Sequence, residues 1–286
     1  MGLDIFVQSI LNGLTSGWIY VLLAVGLTLV FGIMNIVQFA HGEIYMLGAY
    51  CSYFLIKSCG LNFWEALPIS AIVIGLLGII LERFFFRPFR NKFEPSIIVA
   101  IGLMLALQTI AVVGFGTDTK TMPSIIPGVL RVGGITLSWD RLLAIFTGIV
   151  LISALFLLVQ KTKIGQAMVA VSQDTYAASL QGIDVNRVSV VAMVLGCALA
   201  SIAGSLMGSI FTTNPYMGTL AITKGIAVII MGGLGSIPGA VVGGLILGLI
   251  DGIVPPLLNT NIANIFGFVA ILVILLFRPR GLFGHE

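Results

Sequence analysis

The chain has 286 residues, of which 58% are hydrophobic and only 9% charged, with a formal net charge of +3 and a mean hydropathy of +1.14. A soluble domain carries about 25% charged residues, and one charge at the centre of a membrane helix costs roughly 2.5 to 3.5 kcal/mol on insertion scales. The composition therefore excludes a soluble globular enzyme and predicts a polytopic membrane protein; no nucleic-acid partner is expected.

Long runs lack Asp, Glu, Lys, Arg and His altogether, among them Ile5–Ala40, Ala66–Leu81, Pro95–Thr117, Val188–Thr223 and Gly252–Phe277. A spanning helix needs about 20 mostly apolar residues, and the candidate spans are 6–33, 43–57, 66–81, 96–114, 142–159, 189–211, 223–250 and 262–277. The N-terminus lacks the basic flank of a cleavable signal peptide, so the first run is expected to be a retained span. Cys51, Cys59 and Cys197 have no metal or redox spacing and read as small packing residues.

Two of these segments look interrupted. After the first span, Asn35, Gln38, His41 and Glu43 gather around Phe39, Ala40 and Gly42. Within 223–250, the run Met231-Gly232-Gly233-Leu234-Gly235-Ser236-Ile237-Pro238-Gly239 should break a helix. Ser236 is placed to cap the helix that follows, with Pro238 in its first turn. Polar, broken backbone at membrane depth is tolerated only where protein or a water-filled cavity covers it. One break in each half is the sequence pointer to a transport pathway. The residues that pointer selects are Asn35, Gln38, His41, Glu43, Gly232, Gly233, Gly235 and Ser236. The plainer alternative is two ordinary loops at the membrane surface, with His41 and Glu43 paired to each other.

Charge sets the topology. Basic residues cluster at Arg83, Arg87, Arg90 and Lys92, at Lys161, Lys163 and Arg187, and at Arg278 and Arg280. The positive-inside rule puts all three places in the cytoplasm, the C-terminus included. The segment from Gly114 to Arg141 should face the other side. Counting crossings brings the C-terminus back to the cytoplasm only if 223–250 reverses at its glycine-rich turn. Small residues recur every four positions at Gly196, Ala200, Gly204 and Gly208, at Gly235, Gly239 and Gly243, and at Gly244, Gly248 and Gly252. Such rows bring helices into close contact, either within the chain or with another subunit. The fold expected is an all-α polytopic membrane protein of about eight to nine transmembrane helices with two broken or re-entrant segments. It forms a single transmembrane domain over residues 1–286, with a cytoplasmic segment at 161–187.

Enzyme chemistry finds no foothold. There is no P-loop and no Gly-Lys dipeptide, and the only histidines are His41 and His285, too few for a histidine metal site. No bound cofactor, metal or catalytic group is expected. The informative polar stretch is Lys161–Arg187, whose pattern fits a short amphipathic helix ended by Gly182. A helix of this kind lying on the cytoplasmic face suits docking into a groove on a partner.

The run Asn35-Ile36-Val37-Gln38-Phe39-Ala40-His41-Gly42-Glu43-Ile44-Tyr45-Met46-Leu47-Gly48-Ala49-Tyr50 closely resembles a signature of the branched-chain amino acid ABC transporter permeases, LivH-type subunits above all. The stretches Phe115–Lys120, Gly165–Asp184, Gly232–Ala240 and Arg278–Gly284 are similar in the same order. The resemblance implies a permease subunit in a bacterial inner membrane that conducts leucine, isoleucine and valine. It implies as partners a second permease, two ATP-binding-cassette ATPases that hold ATP and Mg, and a periplasmic substrate-binding protein. It implies that Gly165, Gln166, Met168, Asp174, Ala177, Ala178, Gly182 and Ile183 belong to the loop that contacts the ATPases. Tyr176 departs from the pattern, standing where an acidic residue is expected, as do Gln166 and Val169 at frequently basic positions. Two other readings stay open: a related permease for urea, amides or other amino acids, and a self-sufficient channel or secondary transporter. The latter would need an ion-coupling residue, for which Glu43, His41 and Lys224 are the candidates.

Overall fold

A computed structural model describes residues 3–90, 92–126, 128–132 and 135–284; His285 lies outside these. The helices are α1 (Leu3–Met34), α2 (His41–Cys59), α3 (Phe63–Ile80), α4 (Phe93–Phe115), α5 (Trp139–Lys161), α6 (Lys163–Gln173), α7 (Thr175–Leu180), α8 (Val185–Ile210), α9 (Met217–Gly232), α10 (Ile237–Leu257) and α11 (Thr260–Phe277). A π-helical turn at Leu81–Phe86 and a 3₁₀ turn at Arg87–Phe89 extend α3. Among the described residues seven helices are long and apolar enough to cross a membrane; α9 is apolar but shorter, and α2, which carries His41, Glu43 and Lys57, is not among the seven.

The bundle is built around α1 and α8. The most apolar windows of these two are 78% and 67% buried, against 11% for α11. A spanning helix that is apolar all round is stable on either side of the protein–lipid boundary, so side-chain size decides which helices go inside. The central contacts run through glycine. A Cβ built on Gly26 of α1 would lie 2.8 Å from the Gly196 carbonyl oxygen of α8. One built on Gly13 would lie 2.9 Å from the Gly248 oxygen of α10. Gly13 and Gly17 face Gly248 and Gly252, and Val21 faces Gly244, so α1 and α10 run antiparallel along most of their length. The glycine rows foreseen at 196–208 and 235–252 are thus spent on contacts within the chain.

The chain alternates between two ends. Glu82, Arg87 and Arg90 join Asn186 at the start of α8, and Leu282 and Phe283 return to the end of α9. The three basic clusters therefore share one end, because 223–250 does reverse at its glycine-rich turn. The α9 helix starts earlier than that reading placed it, at Met217, and α10 continues through Pro255 and Pro256. At the other end the link from α4 to α5 holds a two-stranded antiparallel hairpin, β1 (Val129–Val132) and β2 (Ile135–Ser138), with Val132 opposite Ile135. The charge pattern assigns Gly114–Arg141 only to a side of the membrane, although Gly133-Gly134 between alternating residues is a hairpin signal.

Candidate functional site

The α1 helix ends where Asn35 takes the left-handed conformation, φ 53°, while its N–H still donates to the Phe31 carbonyl at 2.8 Å. Residues 35–38 are not helical, and α2 begins at His41. His41 lies beside Gly26: a Cβ there would be 3.0 Å from its Nε2. Gly26 is about two turns, or ~12 Å, inside the end of α1. The connecting segment therefore climbs back into the bundle, and α2 is a helix that starts at depth. Gln38, His41 and Glu43 are completely buried, whereas Asn35 is exposed. No ion pair joins His41 to Glu43 among the described residues, so the paired-turn alternative fails on geometry. The Glu43 carboxylate instead packs against Gly218, where a Cβ would lie 2.7 Å from Cδ.

Gly218 lies in the first turn of α9, just after an interruption that the candidate spans 189–211 and 223–250 place only as a link between two helices. Residues 211–216 return from the end of α8 into the bundle. Thr213 forms an isolated antiparallel bridge with Lys120, N–H to carbonyl at 2.7 and 2.8 Å. The Asn214 side chain accepts from the Tyr216 N–H at 3.0 Å, and α9 starts at Met217. The first turns of α2 and α9 meet through Gly42 and Gly218. Two helix N-termini, each the positive end of a dipole, thereby flank the buried carboxylate of Glu43. The sequence signal for this break was Thr212-Thr213-Asn214-Pro215, a turn composition inside a charge-free run.

The glycine-rich turn lies at the basic end. Gly233 and Gly235 have φ of 104° and 82°, values that disfavour any Cβ. Ser236 caps α10, its Oγ accepting from the Gly239 N–H at 3.2 Å, with Pro238 in the first turn. Gly235 sits against Gly32 of α1, just before Asn35. Gly232, Gly233 and Ser236 are buried and Gly235 is exposed. The chain's last described residues close over this turn: the Leu282 and Phe283 N–H groups each donate at 2.9 Å, to the carbonyls of Met231 and Gly232. The structure thus brings Asn35 near the glycine turn and leaves Gln38, His41 and Glu43 deeper, against α9.

The segment 161–187 forms two helices where one was expected. Asp174 divides them, because its side chain accepts from Tyr176 N–H at 2.8 Å and Ala177 N–H at 2.9 Å and so starts α7. Gly182, φ 80°, ends it. Gly165, Met168 and Ala178 turn inward and are buried, and Ile183 is half-buried. Gln166, Asp174, Ala177 and Gly182 are exposed, beside Tyr176 at 74% and Leu180 at 68% exposure.

Three polar groupings escaped the sequence reading. Ser52, Ser70, Ser201 and Ser205 join α2, α3 and α8, with Ser52 and Ser205 hydroxyls 2.7 Å apart. Glu82, fully buried, binds Arg87 at 2.7 Å and Arg90 at 2.6 Å. Lys224 of α9 and Asp251 of α10 form a half-buried ion pair of 2.8 Å, to which Tyr20 donates at 2.8 Å. Only the last carried a signal, as single charges in long apolar runs.

Residues 9–277 match the protein family described as branched-chain amino acid transport system / permease component. The chain is 35% identical to the high-affinity branched-chain amino acid transport system permease protein LivH of Escherichia coli K12, over 98% of this chain and 96% of that protein. It is 32% identical to the corresponding protein BraD of Pseudomonas aeruginosa, over the same shares. It is 24% identical to LivM of E. coli K12, over 94% of this chain and 68% of LivM. Among solved structures, PsaBC from Streptococcus pneumoniae in complex with Fab aligns with a TM-score of 0.52 at 14% identity, covering 94% of this chain and 91% of that one, a likeness of fold alone.

Proposed function

We propose that this chain, which belongs to the permease-component family of branched-chain amino acid transport systems, conducts leucine, isoleucine and valine across a membrane as one permease subunit of an ATP-driven importer. The observation that carries the proposal is the full-length match to LivH and BraD, and the paired breaks at 35–40 and 211–216 supply a physical basis for it. Discontinuous helices that start at mid-depth are how transporters line a pathway. The chain has no nucleotide-binding loop of its own. Its energy therefore comes from conformational work done by ATPase subunits, which hold ATP and Mg. A second permease, similar to LivM, completes the pathway, and a periplasmic binding protein delivers the substrate. The membrane is a bacterial inner membrane with the basic end in the cytoplasm.

The exposed face of α6 and α7, centred on Tyr176 and Leu180, is where an ATPase docks. Apolar side chains this exposed beside water are anchors for a partner groove. The test is uptake by vesicles containing the assembled complex. ATP-dependent accumulation of labelled leucine, isoleucine and valine is expected. Accumulation of urea or amides in their place assigns the related permease class, and accumulation without ATPase subunits refutes the importer reading.

A further inference from the structure

The outer surface of the bundle is apolar on most helices, as a lipid-facing surface must be: Ile72 and Leu76 on α3, Phe146 and Leu157 on α5, Leu272 and Leu276 on α11 are all exposed. One strip differs. Gln108 of α4 donates through Nε2 to Thr219 Oγ1 of α9 at 3.0 Å. Thr223 is exposed one turn further along α9, next to Lys224. The Lys224 ammonium is bound to Asp251 of α10 at 2.8 Å and to Asn264 Oδ1 of α11 at 3.0 Å. The strip thus crosses α4, α9, α10 and α11 as one polar band. Thr219, Thr223 and Asn264 are exposed, and the Lys224 and Asp251 side chains keep 19% and 15% of their surface. Lys224 stands in the middle of α9, and Gln108 lies two turns from the nearer end of α4, so the band is at membrane depth.

Hydrocarbon cannot cover such a band. A half-buried ion pair whose open side faced lipid, with the exposed Asn264 amide beside it, would cost several kcal/mol. We infer that this band faces the water-filled translocation pathway and that a zwitterionic amino acid passes along it. The inference rests on the permease reading and names where in this subunit the substrate travels. The chemistry matches the substrate class. A zwitterion brings one carboxylate and one ammonium. The Lys224–Asp251 pair offers each an opposite partner, and the exchange leaves no charge unpaired. Leu220, 73% exposed between the two threonines, offers apolar surface to an aliphatic side chain. Weak, exchangeable contacts of this kind suit passage better than a tight site does.

The test uses the assembled transporter with Cys51, Cys59 and Cys197 replaced by Ala, into which Thr223→Cys is introduced. Ile72→Cys on α3 serves as the lipid-facing control. A membrane-impermeant, charged thiol reagent should label Thr223→Cys at least about tenfold faster than Ile72→Cys, because the reactive thiolate forms only in contact with water. The labelled complex should lose ATP-driven leucine uptake, while labelled Ile72→Cys should keep it. Asn264→Cys reads the same face if Thr223→Cys fails to assemble. Labelling at the control rate, whether lipid or a packed helix covers the site, overturns the inference, and so does fast labelling that leaves uptake unchanged. Absence of ATP-driven uptake in the cysteine-free parent would instead count against the permease reading.

Discussion

Glu82 shows how a single carboxylate can determine a local arrangement that hydropathy does not register. It is fully buried, in the π-helical turn that ends α3, and it holds Arg87 and Arg90. Arg90 in turn donates to Asn186 at 2.8 Å, fastening α3 to the start of α8. Glu82→Ala would leave two guanidinium groups crowded and unpaired. The expected loss is about 3 kcal/mol, the low end of the range for a broken buried pair, because Arg87 is partly exposed and solvent screens it. Thermal unfolding in detergent checks this, and Glu82→Gln should recover part of the loss. A different mechanism governs Gly26. Gly26→Val would press a side chain against the Gly196 carbonyl and the His41 ring, at an expected cost of about 1 to 3 kcal/mol from overpacking. A melting temperature no lower than that of the parent would contradict it. Residue-scale facts of this kind were the least legible in the sequence. Gln38, His41 and Glu43 stood out as polar residues between apolar runs, so their presence was readable. That Glu43 meets Gly218 was not, because nothing local ties residue 43 to residue 218. The serines at 52, 70, 201 and 205 gave no signal at all, since a serine in a membrane helix can satisfy itself on its own backbone.

Helices were legible wherever a charge-free run was long enough. The run at 96–114 became α4 and that at 262–277 became α11, within a few residues at each end. The glycine-rich turn was legible for a steric reason: Gly233 and Gly235 adopt positive φ, and Ser236 and Pro238 carry the chemistry of a helix start. The interruption at 211–216 was legible as the link between the spans 189–211 and 223–250, but its return into the bundle was not, because nothing local ties Gly218 to Gly42. Two predictions belong to these elements. Gly235→Val should cost about 1 to 3 kcal/mol from backbone strain, and Ser236→Ala should cost about 1 kcal/mol from the lost cap; paired unfolding measurements would separate them. On α7, Tyr176→Ala with Leu180→Ser removes two largely exposed side chains. The pair should weaken ATPase co-purification and leucine uptake together while the chain's own stability stays within about 0.5 kcal/mol, as for surface substitutions. Normal uptake with this double variant would remove α7 from the coupling surface.

At the scale of the whole molecule the native cysteines report sidedness. Cys59, exposed at the end of α2 away from the basic clusters, differs from the buried Cys197 and the half-buried Cys51. In intact cells an impermeant thiol reagent added from outside should label the native chain, and Cys59→Ala should abolish the signal. Labelling only in inverted vesicles would reverse the orientation given by the positive-inside rule. The pairing of α1 with α10 carries a different kind of consequence. These are principal neighbours, Gly13 and Gly17 against Gly248 and Gly252, yet α1 ends at Met34 and α10 at Leu257. At synthesis rates of roughly 5 to 20 residues per second, α1 waits on the order of ten to forty-five seconds for its partner to emerge. During that interval its glycine face must be sheltered by lipid, by the insertion machinery or by α8. Biogenesis of this chain is therefore not a simple march from first helix to last. A ribosome that stalls anywhere before α10 leaves the centre of the bundle open, and such truncated chains should be early substrates for membrane proteolysis.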